Sequence, residues 1–115
     1  MLIPTDALPY FENAIYLPMM LTILAKDRAT IERADFKLPS PYLKLIDRAI
    51  ERVQVEMKET ADYLRTNKIK LLKGNSDDTF TTYIFIYGGY EDSRRYLNVR
   101  LKNRTEELIE LYLMK

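Results

Sequence analysis

The clearest periodic pattern in the chain lies between Ser40 and Asn67, where apolar residues recur at alternating steps of three and four. That spacing places them on one face of an amphipathic helix. The apolar positions are Leu43, Ile46, Ile50, Val53, Met57, Thr60 and Leu64. Pro39 and Pro41 flank Ser40, and a residue before proline is pushed into extended geometry. We therefore predict that the Ser40 hydroxyl caps this helix and that Asn67 ends it in the left-handed conformation.

A second helical pattern precedes it, over about residues 9–34. Its apolar side is formed by Phe11, Ile15, Met19, Leu21, Leu24 and Ile31. Pro18 lies inside the pattern, and because proline removes a backbone hydrogen bond we expect the helix to be bent or briefly interrupted there. Residues 35–39 are too few to do more than reverse the chain, so the two helices should form an antiparallel hairpin.

After this hairpin the pattern changes to that of a small antiparallel sheet. Residues 69–73 indicate a short strand, residues 74–78 a turn, and residues 80–87 the strongest strand of the chain, rich in β-branched and aromatic residues. In that strand Tyr83, Phe85 and Tyr87 share one face, and the opposite face carries Thr82, Ile84 and Ile86. Both faces are apolar, so both should be covered. The helices can take one face, and the C-terminal segment or another subunit must take the second.

Two glycines, Gly88 and Gly89, end the strong strand. We expect residues 90–93 to turn the chain and residues 94–97 to return as a third short strand. The sheet is then a small antiparallel one of two to three strands.

The C-terminal segment allows three interpretations. Alternating apolar residues would extend the third strand to Lys102, whereas one helix from Glu91 to the end would take poor helix formers into its interior. We favour the third, a helix over about residues 99–114 that is capped by Asn98. The resulting order, α-α-β-β-β-α, predicts a single α+β domain over residues 1–115, with a two-helix hairpin, the small sheet and a C-terminal helix.

Composition narrows the chemistry of this fold. The chain of 115 residues has no Cys and no His, and its net charge is +1. The first absence excludes disulfides and thiolate chemistry, and the second removes the usual general base near neutral pH and the commonest metal ligand. Asp77-Asp78 and Glu91-Asp92 offer oxygen ligands for a hard cation, but acidic turn residues usually face water. We therefore expect no catalytic, cofactor-binding or metal site, and rank an enzyme with carboxylate chemistry third.

The most apolar stretch, Ile15 to Leu24, spans about ten residues where a membrane helix needs about twenty. The N-terminus also lacks the basic-then-apolar layout of a signal peptide. We expect a cytoplasmic protein without a membrane partner.

A basic run makes nucleic-acid binding the alternative function. Five positive residues, with no acidic residue among them, are Arg94, Arg95, Arg100, Lys102 and Arg104. Tyr90 and Tyr96 interleave with them, and phosphate contacts and base stacking use such groups. Against this, acidic residues bracket the run, and most sequence-specific binders are more basic overall.

The interpretation that we favour is self-association without catalysis. Tyrosine and arginine are enriched at interfaces, and the two-sided apolar strand and apolar first helix offer more hydrophobic surface than three short helices cover. A symmetric homodimer is the usual way to bury such excess, and a further protein partner is compatible with it. The competing interpretation is a monomer whose core takes all of it. The candidate interaction residues are Tyr83, Phe85, Tyr87, Tyr90, Arg94, Arg95, Tyr96, Arg100, Lys102 and Arg104.

The chain also resembles a known family. The segment Tyr87-Gly88-Gly89-Tyr90-Glu91-Asp92, followed by Tyr96-Leu97-Asn98 and residues 101–106, is similar to the C-terminal half of small uncharacterised YhjD-like proteins of Bacillus-type bacteria. The stretch Ala14-Ile15-Tyr16-Leu17-Pro18 is similar to their N-terminal helix. The resemblance implies a bacterial cytoplasmic protein of unknown activity and favours the Asn98-capped helix. No catalytic or binding residue carries over from it.

Overall fold

A computed structural model describes residues 3–115 of the chain. The elements are α1 (Leu8–Arg33), α2 (Ser40–Thr66), β1 (Ile69–Ser76), β2 (Phe80–Tyr87), β3 (Tyr90–Leu97) and α3 (Asn98–Met114). This order confirms the predicted α+β architecture. That residues 1–115 form one domain stays a prediction. In the part of the chain that the structure describes, no helix is long and apolar enough to cross a membrane.

The helices α1 and α2 pack against each other as the predicted hairpin. The core between them is built from Leu17, Met20, Leu24, Ile46, Ala49 and Val53. At the surface of the hairpin, Nε of Arg28 in α1 donates to Oδ1 of Asp47 in α2 at 2.5 Å. The short connection therefore predicted the hairpin correctly, whereas Leu17 and Met20 of its core were not among the apolar positions predicted for the first helix.

The start of α2 corrects the prediction for Ser40. This residue is already helical, and its hydroxyl makes no capping hydrogen bond. Pro39 precedes it in helical geometry (φ −74°, ψ −24°), and the Pro39 carbonyl accepts the N–H groups of Tyr42 and Leu43, each at 3.1 Å. Because the proline ring fixes φ near the helical value, the backbone of Pro39 starts the helix without a side-chain cap.

The end of α2 corrects the prediction for Asn67 by one residue. Asn67 stays near helical geometry (φ −94°, ψ 6°), because its side-chain Nδ2 donates to the Tyr63 carbonyl at 2.8 Å and its backbone N–H donates to the same oxygen at 3.0 Å. The left-handed residue is Lys68, with φ 54°.

The helix α1 runs through Pro18 without a break, so the interruption expected there is wrong, and the bend stays a prediction. Leu17 and Met20, on either side of Pro18, are buried in the core. Packing of these neighbours holds the backbone helical at the position where proline removes one N–H donor.

The strands form an antiparallel sheet in the order β1-β2-β3. The strands β2 and β3 pair along their whole length, from Tyr87 opposite Tyr90 to the other end. The turn predicted over residues 90–93 is therefore wrong. Gly88 and Gly89 alone reverse the chain, with φ values of 55° and 82° that glycine adopts at little cost in a two-residue hairpin loop.

The strand β1 is longer than predicted because its pairing with β2 continues past Lys73. The register shifts between Lys73 and Ser76, where β1 contains an irregularity of the β-bulge type. The predicted turn shrinks to the residues after Ser76. There Oδ1 of Asp77 accepts the backbone N–H groups of Thr79 and Phe80, at 2.8 and 2.7 Å.

The C-terminal segment forms the helix that we favoured, so the strand extension and the single long helix are both wrong. The cap prediction for Asn98 is also wrong, since no side-chain cap bond is present. Its Oδ1 instead accepts the Thr81 hydroxyl at 2.7 Å, and its Nδ2 donates to the Asp77 carbonyl at 2.7 Å. Asn98 therefore ties the start of α3 to the turn between β1 and β2.

Helices cover one face of the sheet, which we call the inner face. There the Phe11 ring of α1 stacks on Phe85 of β2, with ring centroids 4.6 Å apart, and Leu101 of α3 joins the same core cluster. The opposite, outer face consists of Lys70, Leu72, Phe80, Thr82, Ile84, Ile86, Glu91, Ser93, Arg95 and Leu97. Within residues 3–115, no side chain of the outer face belongs to either core cluster. The C-terminal segment therefore packs on the inner face and leaves the outer face open.

Candidate interaction surface

Two of the ten candidate interaction residues lie in the core. Tyr83 and Phe85 are 6% and 1% exposed and point to the inner face of β2. Tyr87 lies on the same face and is half-buried. The Tyr83 ring meets Tyr96 edge-on at 5.8 Å, and burial raises the pKa of both phenols. Tyr83 and Phe85 therefore hold the helices to the sheet and are not available to a partner.

The structure divides the basic run among several surfaces. Arg94 points to the inner face of β3 and Arg95 to the outer face, since successive strand residues alternate. The other three, Arg100, Lys102 and Arg104, are exposed on α3. The run of five cations therefore does not form one continuous basic surface.

Each arginine on β3 already has a neighbour. Nε of Arg94 donates to Oδ2 of Asp92 at 3.0 Å, and its guanidinium carbon lies 5.1 Å from the Phe85 ring centroid. The guanidinium carbon of Arg95 lies 3.9 Å from the centroid of Phe80. These contacts orient both side chains beside the strand.

The remaining candidates come together on β3 itself. Tyr90, Arg94, Arg95 and Tyr96 lie along this eight-residue strand, and Tyr90 is 61% exposed. In the described chain β3 pairs with β2 on one side, and no strand pairs with its other side. An unpaired strand presents a row of backbone N–H and C=O groups that another strand can bond. The edge of β3 is therefore the candidate interaction surface.

Sequence reasoning missed Glu91, Asp92 and Ser93 as members of this strand, because it assigned them to a turn. The signal that could have found them is the pair Gly88-Gly89, which suffices for a two-residue hairpin loop and allows the next strand to begin at once.

A cleft of about 690 Å³ lies between α1, α3 and the inner face of the sheet. Its apolar lining includes Ile15 and Met19, and two cations, Lys73 and Lys102, line it as well. Among the described residues that line it there is no Asp or Glu. Within residues 3–115 no three carboxylate side chains gather as metal ligands do. The cleft thus offers no carboxylate pair for acid–base chemistry.

Outside the cleft, the carboxylate of Glu56 is hydrogen-bonded to the phenol of Tyr112. The Tyr112 hydroxyl of α3 donates to Oε2 of Glu56 in α2. Burial raises the pKa of Tyr112, and the hydrogen bond to Glu56 raises it further. The contact joins the C-terminal turns of α3 to α2, so we interpret the pair as a structural link between the two helices.

Comparison with known proteins gives two matches. The family model described as YhjD protein matches residues 2–115. The chain is also similar to the "Uncharacterized protein YhjD" of Bacillus subtilis (strain 168), with 38% identity over 102 residues, which covers 89% of this chain and 85% of that protein. No solved structure gives a significant match.

Proposed function

The chain belongs to the YhjD family, a family of small bacterial proteins, and from that premise we propose that it is a self-associating interaction module. Its partner is a second copy of the same chain. The proposal concerns binding, and it assigns no catalytic step to any residue.

The observation that carries the proposal is the amount of surface that the folded chain exposes. Its accessible surface is 8226 Å² for a mass of 13.6 kDa. A compact monomer of this mass exposes about 6,600 Å² by the usual scaling, so the excess is about 1,600 Å². A standard interface removes about 800 Å² from each partner. The chain therefore exposes enough additional surface for a stable dimer.

The shape of the molecule explains the excess. Its extents are 55 × 33 × 18 Å, and its radius of gyration is 16.2 Å. A compact chain of this length has a radius of gyration of about 13 Å. One layer of helices packs on one sheet, and within residues 3–115 no second layer covers the outer face of that sheet. Association through the sheet, whether at its outer face or at its open edge, would bury surface that a monomer leaves open.

The alternatives receive less support. A nucleic-acid-associated regulator would need the basic run on one surface, whereas Arg94 and Arg95 point to opposite faces of the sheet. An enzyme with carboxylate chemistry would need paired acids, and the cleft described above has none in its lining. A cytoplasmic location stays a prediction.

Sedimentation equilibrium from low to high micromolar concentration tests the proposal. We expect the mean mass to rise with concentration from 13.6 kDa to twice that value. A mass that stays at 13.6 kDa across the whole range would contradict self-association. A monomeric protein whose mobility shifts with DNA or RNA at low salt would favour the nucleic-acid alternative instead.

A further inference from the structure

The charged residues of β3 are placed symmetrically about Ser93 but carry opposite signs on its two sides. Its sequence is YEDSRRYL, from Tyr90 to Leu97. On the N-terminal side of Ser93 lie two acids and a tyrosine, and on the C-terminal side lie two arginines and a tyrosine. In an antiparallel pair the second strand runs in the opposite direction, so acids of one copy face arginines of the other.

Hairpin geometry determines which backbone groups of β3 are free. Tyr87 and Tyr90 close the two-residue loop as a hydrogen-bonded pair, and bonding toward β2 then alternates along the strand. Tyr90 and every second residue after it bond β2. The N–H and C=O groups of Glu91, Ser93 and Arg95 therefore point away from β2, toward the open edge.

We propose that β3 of a second copy pairs antiparallel with this edge, with the twofold axis at Ser93. The inference rests on the proposed self-association and specifies its geometry. Two sheets then join into one of six strands, in the order β1-β2-β3-β3-β2-β1. Ser93 of each copy bonds Ser93 of the other through the backbone, and Glu91 bonds Arg95 of the second copy, which gives about six new backbone hydrogen bonds.

The side chains in this register are complementary. Glu91 lies opposite Arg95 of the second copy on the outer face, and Asp92 lies opposite Arg94 of the second copy on the inner face. The twofold axis repeats both pairs, so four opposite-charge pairs form across the joint. Tyr90 lies opposite Tyr96 of the second copy, and aromatic and opposite-charge pairs are the cross-strand pairs that stabilise sheets.

The neighbouring registers are unfavourable. Centring the pair on Arg94 places Arg94 opposite its own copy, and centring it on Asp92 places two carboxylates together. Like charges directly opposite each other destabilise a strand pair. Electrostatics therefore selects Ser93 as the centre.

Glu91 and Arg95 provide the cleanest test because they do not pair within one chain. They are four residues apart on an extended strand, a separation of about 13 Å. Neither takes part in an ion pair in the described structure. A compensating effect between them must arise between two copies.

The experiment measures the dimer dissociation constant of the full chain by sedimentation. We expect Glu91→Lys alone to raise the dissociation constant roughly 10- to 100-fold, and Arg95→Glu alone to do the same, because each turns two attractive pairs into repulsive ones.

An equimolar mixture of the two variants should associate within about threefold of the unmodified protein. In the mixed dimer the introduced lysine of one variant faces the introduced glutamate of the other, and the retained Arg95 faces the retained Glu91. Both pairs are then attractive. Leu72→Lys is the matched control, because Leu72 is an exposed outer-face residue on β1, two strands from the joint.

The outcomes separate this inference from the proposed function. If the unmodified protein is monomeric at every concentration, both fail. If it dimerises but the mixture is no tighter than either variant alone, the Ser93-centred register is wrong and self-association stands. If Leu72→Lys weakens the dimer as much as Glu91→Lys does, the joint is on the outer face and not at the edge. If tight association returns in the mixture and not in either variant by itself, the arrangement is confirmed, because mixing cannot repair a folding defect in either variant.

Discussion

Cysteine cross-linking at the centre of β3 measures the proposed register directly. The chain has no Cys, so Ser93→Cys introduces one thiol per copy and every cross-link must join two chains. Ser93 is exposed and lies at the twofold axis of the proposed pair. Residues opposite each other in a hydrogen-bonded antiparallel pair have Cα atoms about 5.5 Å apart, within the range of about 4.4–6.8 Å that disulfides span.

The control position is Leu97, at the end of the same strand. Four residues separate it from the axis, so the two copies of a cysteine at this position would lie about 27 Å apart. Recentring the pair on Arg94 would move the Cα atoms of the two Ser93 residues to about 8 Å, beyond disulfide reach. The distances therefore distinguish the proposed register from both the neighbouring register and random collision.

The assay is oxidation of the folded protein, followed by electrophoresis without reductant. We expect Ser93→Cys to give a species of twice 13.6 kDa, which reductant returns to the monomer, and a short bismaleimide to trap the same species. Leu97→Cys should stay monomeric under the same treatment. Equal cross-linking at both positions would refute the register, and so would no cross-linking at position 93 at a concentration where sedimentation shows a dimer.

Three further predictions concern the fold that supports this edge. Phe11→Ala removes a fully buried ring that stacks on Phe85 of the sheet, and such a loss costs about 3–5 kcal/mol of unfolding free energy. At about 4 °C per kcal/mol for a chain of this length, the melting temperature should fall by about 12–20 °C. The control, Phe36→Ala at an exposed position, should lower it by only a few degrees, and a similar loss in both variants would contradict the assigned core. Gly89→Ala places a side chain on a residue with φ 82°, and this backbone conformation should cost about 1–2 kcal/mol of stability in urea unfolding. Open space surrounds the added Cβ, so the cost does not come from a clash. An unchanged stability would count against the assigned loop geometry. The hydrogen bond from Arg28 holds the pKa of Asp47 below its usual range. This pair therefore contributes stability above the ordinary carboxyl pKa and loses it as the pH falls through the lowered value. Asp47→Asn should lower the melting temperature at pH 7, and if the difference from the unmodified protein did not shrink below about pH 4, the charge would not be responsible.

The sequence predicted the elements of this fold because two local patterns dominate it, one helical and one of a strand. The 3.6-residue period of α2 and the β-branched and aromatic run of β2 depend on local geometry and on burial of one or both faces, and both survive in the structure. Helix ends did not follow from local rules. A side-chain cap contributes only about 1 kcal/mol, so Pro39 replaces Ser40 as the start of α2, and Asn98 finds better partners in Thr81 and Asp77.

The candidate site was harder to predict because it depends on which face of β2 the helices cover. Both faces of β2 are apolar, so alternation alone does not show that Tyr83 and Phe85 lie inside and Ile84 outside. The distribution of Arg94 and Arg95 follows from strand register, which is fixed by the two-residue loop at Gly88-Gly89. Once that loop is known, the sequence shows that acids precede Ser93 and arginines follow it within one strand.

If two copies pair at β3 as proposed, the difference between the two edges of the sheet would limit assembly to those two copies. The strand β1 has the sequence IKLLKGNS, so its charges are Lys70 and Lys73, with no acid to face them in a second copy. Its register shift also interrupts the regular row of backbone groups, and lysines and bulges are the features that keep natural edge strands from pairing. The strand β3 has charges of both signs, placed so that they match only an antiparallel copy of themselves. A pair formed at β3 is closed by its twofold axis and leaves β1, the edge that repels its own copy, at both ends. The same charges that would discourage a foreign strand from adding to β3 would therefore favour a second copy, and the proposed sheet would stop growing at six strands.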